Sequence, residues 1–158
     1  MSSENRPVEF VSGLEETGVS RKLLAWLNRW LVENPDVPLS IELIDYEFMP
    51  ADKPSMALSL VQSAYIIERF ITGSYIAEYQ FKIIYRTNPN TPYARLSADE
   101  LLDRLGAWAT GQKPYIGDGL EVQTLEQDTP AALFARMEGG WEDHQIFMRM
   151  TYRVNPGK

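Results

Sequence analysis

The sequence contains no cysteine. That excludes a disulfide scaffold, a thiolate zinc site, an iron–sulfur cluster and a cysteine nucleophile together. It contains one histidine, His144, so a multi-histidine metal site within one chain is excluded as well. Basic residues are scarce: 15 Lys and Arg stand against 22 Asp and Glu, a net charge of −7. That is the wrong sign for a general nucleic-acid binder. No apolar run approaches the ~20 residues that span a bilayer, and Met1 to Pro7 lack the apolar core of a signal peptide. The expectation is a cytoplasmic site of synthesis and no membrane partner.

Recognisable chemistry is also missing. Gly117-Asp118-Gly119 lacks the glycine spacing and following helix of a phosphate-binding loop, and reads as a turn. The adjacent acids Glu15-Glu16, Asp99-Glu100 and Glu142-Asp143 have no histidine at helical spacing, as carboxylate-bridged metal sites require. His144 follows Asp143, but neighbours in a strand point to opposite faces, so it reads first as a surface histidine at a strand start, with a general base paired to a distant carboxylate as the alternative. No catalytic residue, metal or cofactor is expected.

What remains is an ordinary globular composition, 44% hydrophobic over 158 residues, matching one domain. We expect an N-terminal arm over 1–18, a single domain over 19–154 and a tail over 155–158. Leu23, Trp26, Leu27, Trp30 and Leu31 recur at spacings of three and four, which predicts a helix over 20–33 with Arg21, Lys22, Asn28 and Arg29 on its polar side. Pro35 and Pro38 stop it. Alternation predicts a strand over 39–49 and a loop over 49–54. Residues 55–63 read as either a strand or an extended edge. Ser97 and Glu100 match a capping box, predicting a loop over 88–96 and a helix from Ser97 to about Gly111. Short strands are expected near Leu120 to Leu125 and over 131–137. A turn over 138–143 and a last strand over 144–154 complete the chain. The fold class is α+β: a mixed, mainly antiparallel sheet with a long hairpin, packed against two principal helices.

The hairpin, over 64–87, is the clearest feature. Gly73-Ser74 suits a type II′ turn. That turn sets Thr72 opposite Tyr75, Phe70 opposite Ala77 and Ile66 opposite Phe81, with Ile71 meeting Ile76 and Arg69 facing Glu78 across the strands. One face then carries Ile66, Phe70, Ala77, Tyr79, Phe81 and Ile83 and belongs to the core. The other mixes Tyr65, Ile67, Ile71, Ile76 and Ile84 with Arg69, Glu78, Gln80, Lys82 and Arg86. It is too apolar for free solvent and too charged for a dry core. A protein–protein contact fits it, and so does burial under a helix of the same chain.

Several landmarks together resemble a known family. They are Tyr79-Gln80-Phe81-Lys82-Ile83-Ile84-Tyr85-Arg86 after the hairpin, the helix ending Gly106-Ala107-Trp108, and Pro114-Tyr115-Ile116-Gly117-Asp118-Gly119. Gly140 before a closing strand ending Thr151-Tyr152-Arg153-Val154, and the Trp-bearing first helix, complete the set. Over residues 20–154 the chain resembles the tail terminator (tail completion, "minor capsid") proteins of long-tailed bacteriophages. The resemblance implies a structural, non-enzymatic virion protein at the head–tail interface, made in the host cytoplasm. It implies a hexameric ring seated on the major tail tube protein, stopping tube growth and meeting a head–tail connector or stopper, with DNA passing through the lumen. The non-contractile kind of tail is the closer likeness. Candidate contacts are Tyr65, Arg69, Ile71, Ile76, Glu78 and Lys82 on the mixed face. Met49, Asp52, Lys53 and Met56 around the 49–59 loop would form an axial contact, with Trp141 exposed at a turn beside Glu142. Six copies at −7 each carry −42, and acids lining the lumen would keep DNA from adhering. Other readings are a different ring-forming connector or tube subunit, or a small-molecule cup lined by Trp26, Trp30, Tyr79 and Phe81.

Overall fold

A computed structural model describes residues 7–156. The chain order is α1 (Gly13–Glu33), β1 (Ile44–Tyr46), β2 (Ser55–Leu60), β3 (Tyr65–Arg69), β4 (Tyr75–Thr87), α2 (Pro92–Ala109), β5 (Leu120–Gln127), β6 (Ala132–Arg136) and β7 (Glu142–Val154). The seven strands form one sheet in the order β1-β2-β4-β7-β5, with β3 on the flank of β4 and β6 on the flank of β7. Among the described residues only β1 and β2 run parallel. The α+β class expected from the sequence is the class observed.

The spine of the sheet is β4 against β7, paired along all 13 residues of each. Alternation decides their faces. Ala77, Tyr79, Phe81 and Ile83 of β4 and Ile146, Met148, Met150 and Tyr152 of β7 are buried. Both helices pack on that side, and their own buried residues join the same core. Trp26 of α1 stacks on Trp108 of α2 with ring centroids 4.4 Å apart, and the Ser20 hydroxyl lies 2.7 Å from that of Tyr79. Glu15 accepts from the hydroxyls of Tyr75 and Tyr152, the latter at 2.7 Å, and Glu16 accepts from Ala64 N–H at 2.7 Å. Burial first, and the bond to Glu15 second, push the Tyr152 hydroxyl far above its ordinary range.

Several boundaries differ from the sequence reading. The first helix starts seven residues earlier than predicted, at Gly13, because Ser12 caps it by accepting from Glu15 N–H at 3.2 Å. The expected arm is therefore helix over 13–18 and an extended segment before it, in which Phe10 bridges to Tyr65. Residues 1–6 and 157–158 of the arm and tail lie outside the described residues. The strand predicted over 39–49 shrinks to three residues: Glu47 adopts φ 55°, which ends it. Thr91, not Ser97, caps α2, accepting from Ala94 N–H at 3.0 Å. Pro92 sits in the first turn, where its missing N–H costs nothing. Ser97 donates instead to Tyr93 C=O within the helix.

The hairpin register also differs. Tyr65 lies opposite Glu78, Ile66 opposite Ala77, Glu68 opposite Ile76 and Arg69 opposite Tyr75. The connection is not a two-residue turn. Gly73 N–H donates to Phe70 C=O and Phe70 N–H to Ser74 C=O, so residues 70–74 form the tip. A bulge between Ile66 and Glu68 shifts the pairing further. The long β4–β7 ladder fixes which face of β4 is buried, and the five-residue β3 adapts to it.

Every outer strand carries an obstruction. At β1 the Asn28 amide of α1 accepts from Ile44 N–H at 2.7 Å and donates to Ile44 C=O at 3.0 Å, standing in for a neighbouring strand. Strand β3 is bulged and flanked by the extended segment, with Ile66 N–H donating to Glu9 C=O at 2.8 Å. Strands β5 and β6 are bulged between Val122 and Thr124 and between Leu133 and Ala135.

Candidate functional site

The side of the sheet away from the helices is the mixed face singled out in the sequence. Ile76, Glu78, Gln80, Lys82, Ile84 and Arg86 of β4 lie beside Arg153, Thr151, Arg149, Phe147, Gln145 and Asp143 of β7. Both helices pack on the opposite side, so no helix of the described chain covers it. Its charges are partly neutralised in place. Arg86 makes two 2.7 Å bonds to Asp143 and a third to Pro50 C=O. The bond to Asp143 holds the Arg86 guanidinium above its ordinary range. Tyr65 donates to Glu78, which also accepts from Gln80. Burial, then that bond to Glu78, push the Tyr65 hydroxyl up. Arg149 reaches Asp128 at 2.7 Å, and Lys82 sits 5.6 Å from the Phe134 ring centre.

Two observations mark this face as unfinished. Phe10 opposite Tyr65, Ile67 at the β3 bulge and Phe134 at the β6 bulge are exposed to 57%, 48% and 44%. A bulge re-aims a side chain out of the regular pleat, and two of these three sit at one. Further, the buried side-chain polar atoms left without a partner among the described residues are Ser55 Oγ, Gln145 Oε1 and Arg149 Nε. All three belong to strand positions paired across this face. Buried polar atoms are ordinarily bonded, to protein or to an ordered water.

The predicted contact residues are not all gathered here. Tyr65, Ile76, Glu78 and Lys82 are on the face. Arg69 is not: opposite Tyr75 it lies towards the helix side, where it forms an ion pair with Glu9 rather than Glu78. Ile71 leaves the face as well and stands fully exposed, at 106%, on the hairpin tip. Asp52 and Lys53 are exposed on the 47–54 loop, with Met49 half-buried. Met56 is fully buried because the even positions of β2 point into the core. Trp141 is half-buried and Glu142 buried. The turn predicted over 138–143 ends at Trp141, and Glu142 and Asp143 already belong to β7.

The sequence reading missed the cluster around His144. The ring is fully buried, not on the surface, with Nδ1 2.7 Å from Asp99 and Nε2 3.1 Å from Glu142. Arg95 bonds Glu142 at 2.9 and 3.0 Å and Arg136 at 3.4 Å. Burial alone would raise the Glu142 carboxyl. Its bonds from His144, Arg95 and Arg136 outweigh that and hold it below the usual range. The signal was the i, i+2 spacing of Glu142 and His144, which shares one face of a strand. Both ring nitrogens are spent on carboxylates, so the cluster ties α2 to the sheet and leaves no nitrogen for a substrate. Among the described residues no group of His, Asp and Glu is placed to hold a metal ion. The aromatics of the imagined cup, Trp26, Trp30, Tyr79 and Phe81, are core residues packed on one another and on Trp108.

No protein-family model matches the chain, and no curated protein sequence matches it. Solved structures do. One chain, from the virion of a native gene transfer agent particle, superposes with a TM-score of 0.59 at 14% identity, covering 85% of this chain and 97% of that one. Another superposes with a TM-score of 0.50 at 17% identity, covering 90% and 96%. At such identities the likeness is one of fold, and the fold of this chain is one also found in a gene transfer agent virion.

Proposed function

We propose that the chain is a structural virion protein that assembles into a ring on the end of a phage tail tube, ends tube growth and offers the surface to which the head joins. The observation that carries the reading is the helix-free face, with Phe10, Ile67 and Phe134 exposed beside its charged side chains. That is the anatomy of a contact surface, an apolar patch within a polar surround. The fold shared with a chain of a gene transfer agent virion supports it, as do the terminator-like landmarks of the sequence. A ring needs heterologous contacts, two different patches per copy, and the face and the loop ends supply unlike surfaces. The role needs no catalytic group, cofactor or membrane; its partners are further copies, the tube protein and the head connector.

Two measurements test this. Native mass spectrometry of the purified chain, alone and with tube protein, should show a closed oligomer; a strict monomer under both conditions counts against the ring. Deleting the gene from its phage should give tails of uncontrolled length that fail to join heads. Tails of normal length would remove the terminator role and leave a connector or tube subunit as the better reading.

A further inference from the structure

Two carboxylates grip the His144 ring from two different elements, and we infer that one proton works there as a latch: while the cluster holds it, the first turns of α2 stay fastened to the sheet, and its loss as pH rises lets them go. The inference concerns the conformation of the single chain and stands whether or not the chain assembles. His144 is the one histidine of the sequence, and its ring is fully buried. Nδ1 lies 2.7 Å from Asp99 Oδ1 of α2, and Nε2 lies 3.1 Å from Glu142 Oε1 of β7.

These two bonds fix the number of protons. An ionised carboxylate only accepts, and a neutral imidazole has one N–H to give. Burial opposes the charge on Glu142, but the bonds from His144, Arg95 and Arg136 outweigh it and keep that carboxyl ionised. Nε2 therefore carries the hydrogen of its bond to Glu142. The shorter contact, between Nδ1 and Asp99, needs a second hydrogen. Imidazole is a stronger base than a carboxylate, so that hydrogen sits on Nδ1. Without it, two lone pairs would face each other at 2.7 Å. The other elements around the ring supply no competing charge. Tyr85 of β4 and Leu133 of β6 lie opposite His144. Burial pushes the Tyr85 hydroxyl up, so it stays neutral. Arg86 and Asp143 are spent on each other.

When the second proton leaves, Asp99 yields and Glu142 does not. The Glu142 side chain is 4% exposed and held by two guanidinium groups. The Asp99 side chain is 30% exposed, and the ring is its one ion-pair partner among the described residues. Asp99 can turn towards water, whereas a bare nitrogen facing Glu142 would stay buried against a fixed charge. Arg95 keeps its bonds to Glu142, so α2 is then held to the cluster at one point instead of two. The same turns of the helix carry Tyr93 and Leu96, both exposed, so the proton sets how that stretch of surface is presented. At low pH the latch fails for another reason, as Glu142 loses its charge below the usual carboxylate range. The fastened state occupies the window between these two events.

With one histidine in the chain, every imidazole signal reports on this cluster. NMR of the isotope-labelled full chain follows the ring nitrogens and the backbone amides of residues 93–99 as pH is raised from about 5, the start of the imidazole range, until the fold is lost. Both ring nitrogens should be protonated at first, and Nδ1 should then give up its hydrogen while Nε2 keeps its own. The amide shifts of residues 93–99 should move with the same midpoint. Their exchange protection, corrected for the intrinsic effect of pH, should fall by roughly tenfold, the worth of one charge-assisted hydrogen bond. A ring with one hydrogen throughout, a ring that keeps both until the chain unfolds, loss at Nε2 first, or amides that do not follow the ring would each overturn the latch. Asp99→Asn adds a second arm. Its amide can accept from the N–H or donate to the bare nitrogen, so the amides of residues 93–99 should no longer follow the ring. If they follow it as in the parent, Asp99 is not the latch. Should Asp99→Asn fail to fold, the parent series decides alone.

Discussion

Replacing Asn28 with Ala should destabilise the fold far more than its place on a helix flank suggests. The Asn28 amide makes three bonds: it accepts from Ile44 N–H and donates to both Ile44 C=O and Leu24 C=O. Ile44 is fully buried. An alanine leaves its N–H and C=O facing a gap, and an unsatisfied buried polar group costs about 1–3 kcal/mol. Partial hydration at the sheet edge offsets some of this, so about 2–3 kcal/mol is the expected loss. With a urea m-value of roughly 2 kcal/mol/M, that moves the unfolding midpoint down by about 1–1.5 M. Equilibrium urea unfolding followed by circular dichroism measures it. Asn28→Asp is the informative companion, because it keeps the acceptor for Ile44 N–H but turns an oxygen towards Ile44 C=O. It should not rescue. If Asn28→Ala falls within about 0.5 kcal/mol of the parent, the range of an ordinary surface change, the account of β1 as a plugged edge is wrong.

Three further outcomes follow from the geometry. Thr91→Ala should cost about 1 kcal/mol, the usual value of an N-cap, whereas Ser97→Ala should be near neutral; the reverse order in thermal unfolding would restore the capping box read from the sequence. Glu142 has a depressed carboxyl, so its contribution is complete above the ordinary value of 4.5 and is lost as pH falls through the lower folded value. Glu142→Gln should therefore lower stability at neutral pH and flatten the decline below pH 4.5, checked by unfolding free energy against pH. A double-mutant cycle on Arg69 and Glu9 should show coupling that disappears in high salt, and one on Arg69 and Glu78 should show none. Coupling in the second cycle would return the two-residue turn.

The periodic elements were legible in the sequence because burial enforces them. Tyr79, Phe81 and Ile83 alternate with Gln80 and Lys82, and Ile146, Met148 and Met150 with Phe147 and Arg149, so the faces of β4 and β7 could be assigned. The unusual second face was legible for the same reason. What failed were choices settled by partners distant in sequence. Gly73-Ser74 is a good local turn, but the ladder to β7 sets β4, and β3 reaches it through a bulge. Ser97 and Glu100 make a sound local cap, yet Thr91 and Pro92 start the helix a turn and a half earlier. Asn28 read as a solvent-side residue because helical spacing does not show that β1 passes beside it. His144 read as exposed because its partner Asp99 arrives from a helix 45 residues away in sequence. Of the predicted contacts, those on β4 kept their place, and Ile71 and Arg69 moved with the register.

The obstructed strand edges bear on how such a chain can be stored. A sheet with an open rim invites another copy to extend it, and a protein made in excess before use is the worst case for that reaction. Here an amide blocks one rim, a docked segment another, and bulges distort the remaining outer strands. Growth by backbone pairing would have to break native bonds at β1 and β3 and to follow a distorted edge at β5 and β6. Copies can therefore accumulate without seeding fibrils, and the attraction left to them is between side chains on surfaces of fixed angle. Attraction of that kind has a geometric end point, which an edge-to-edge sheet does not.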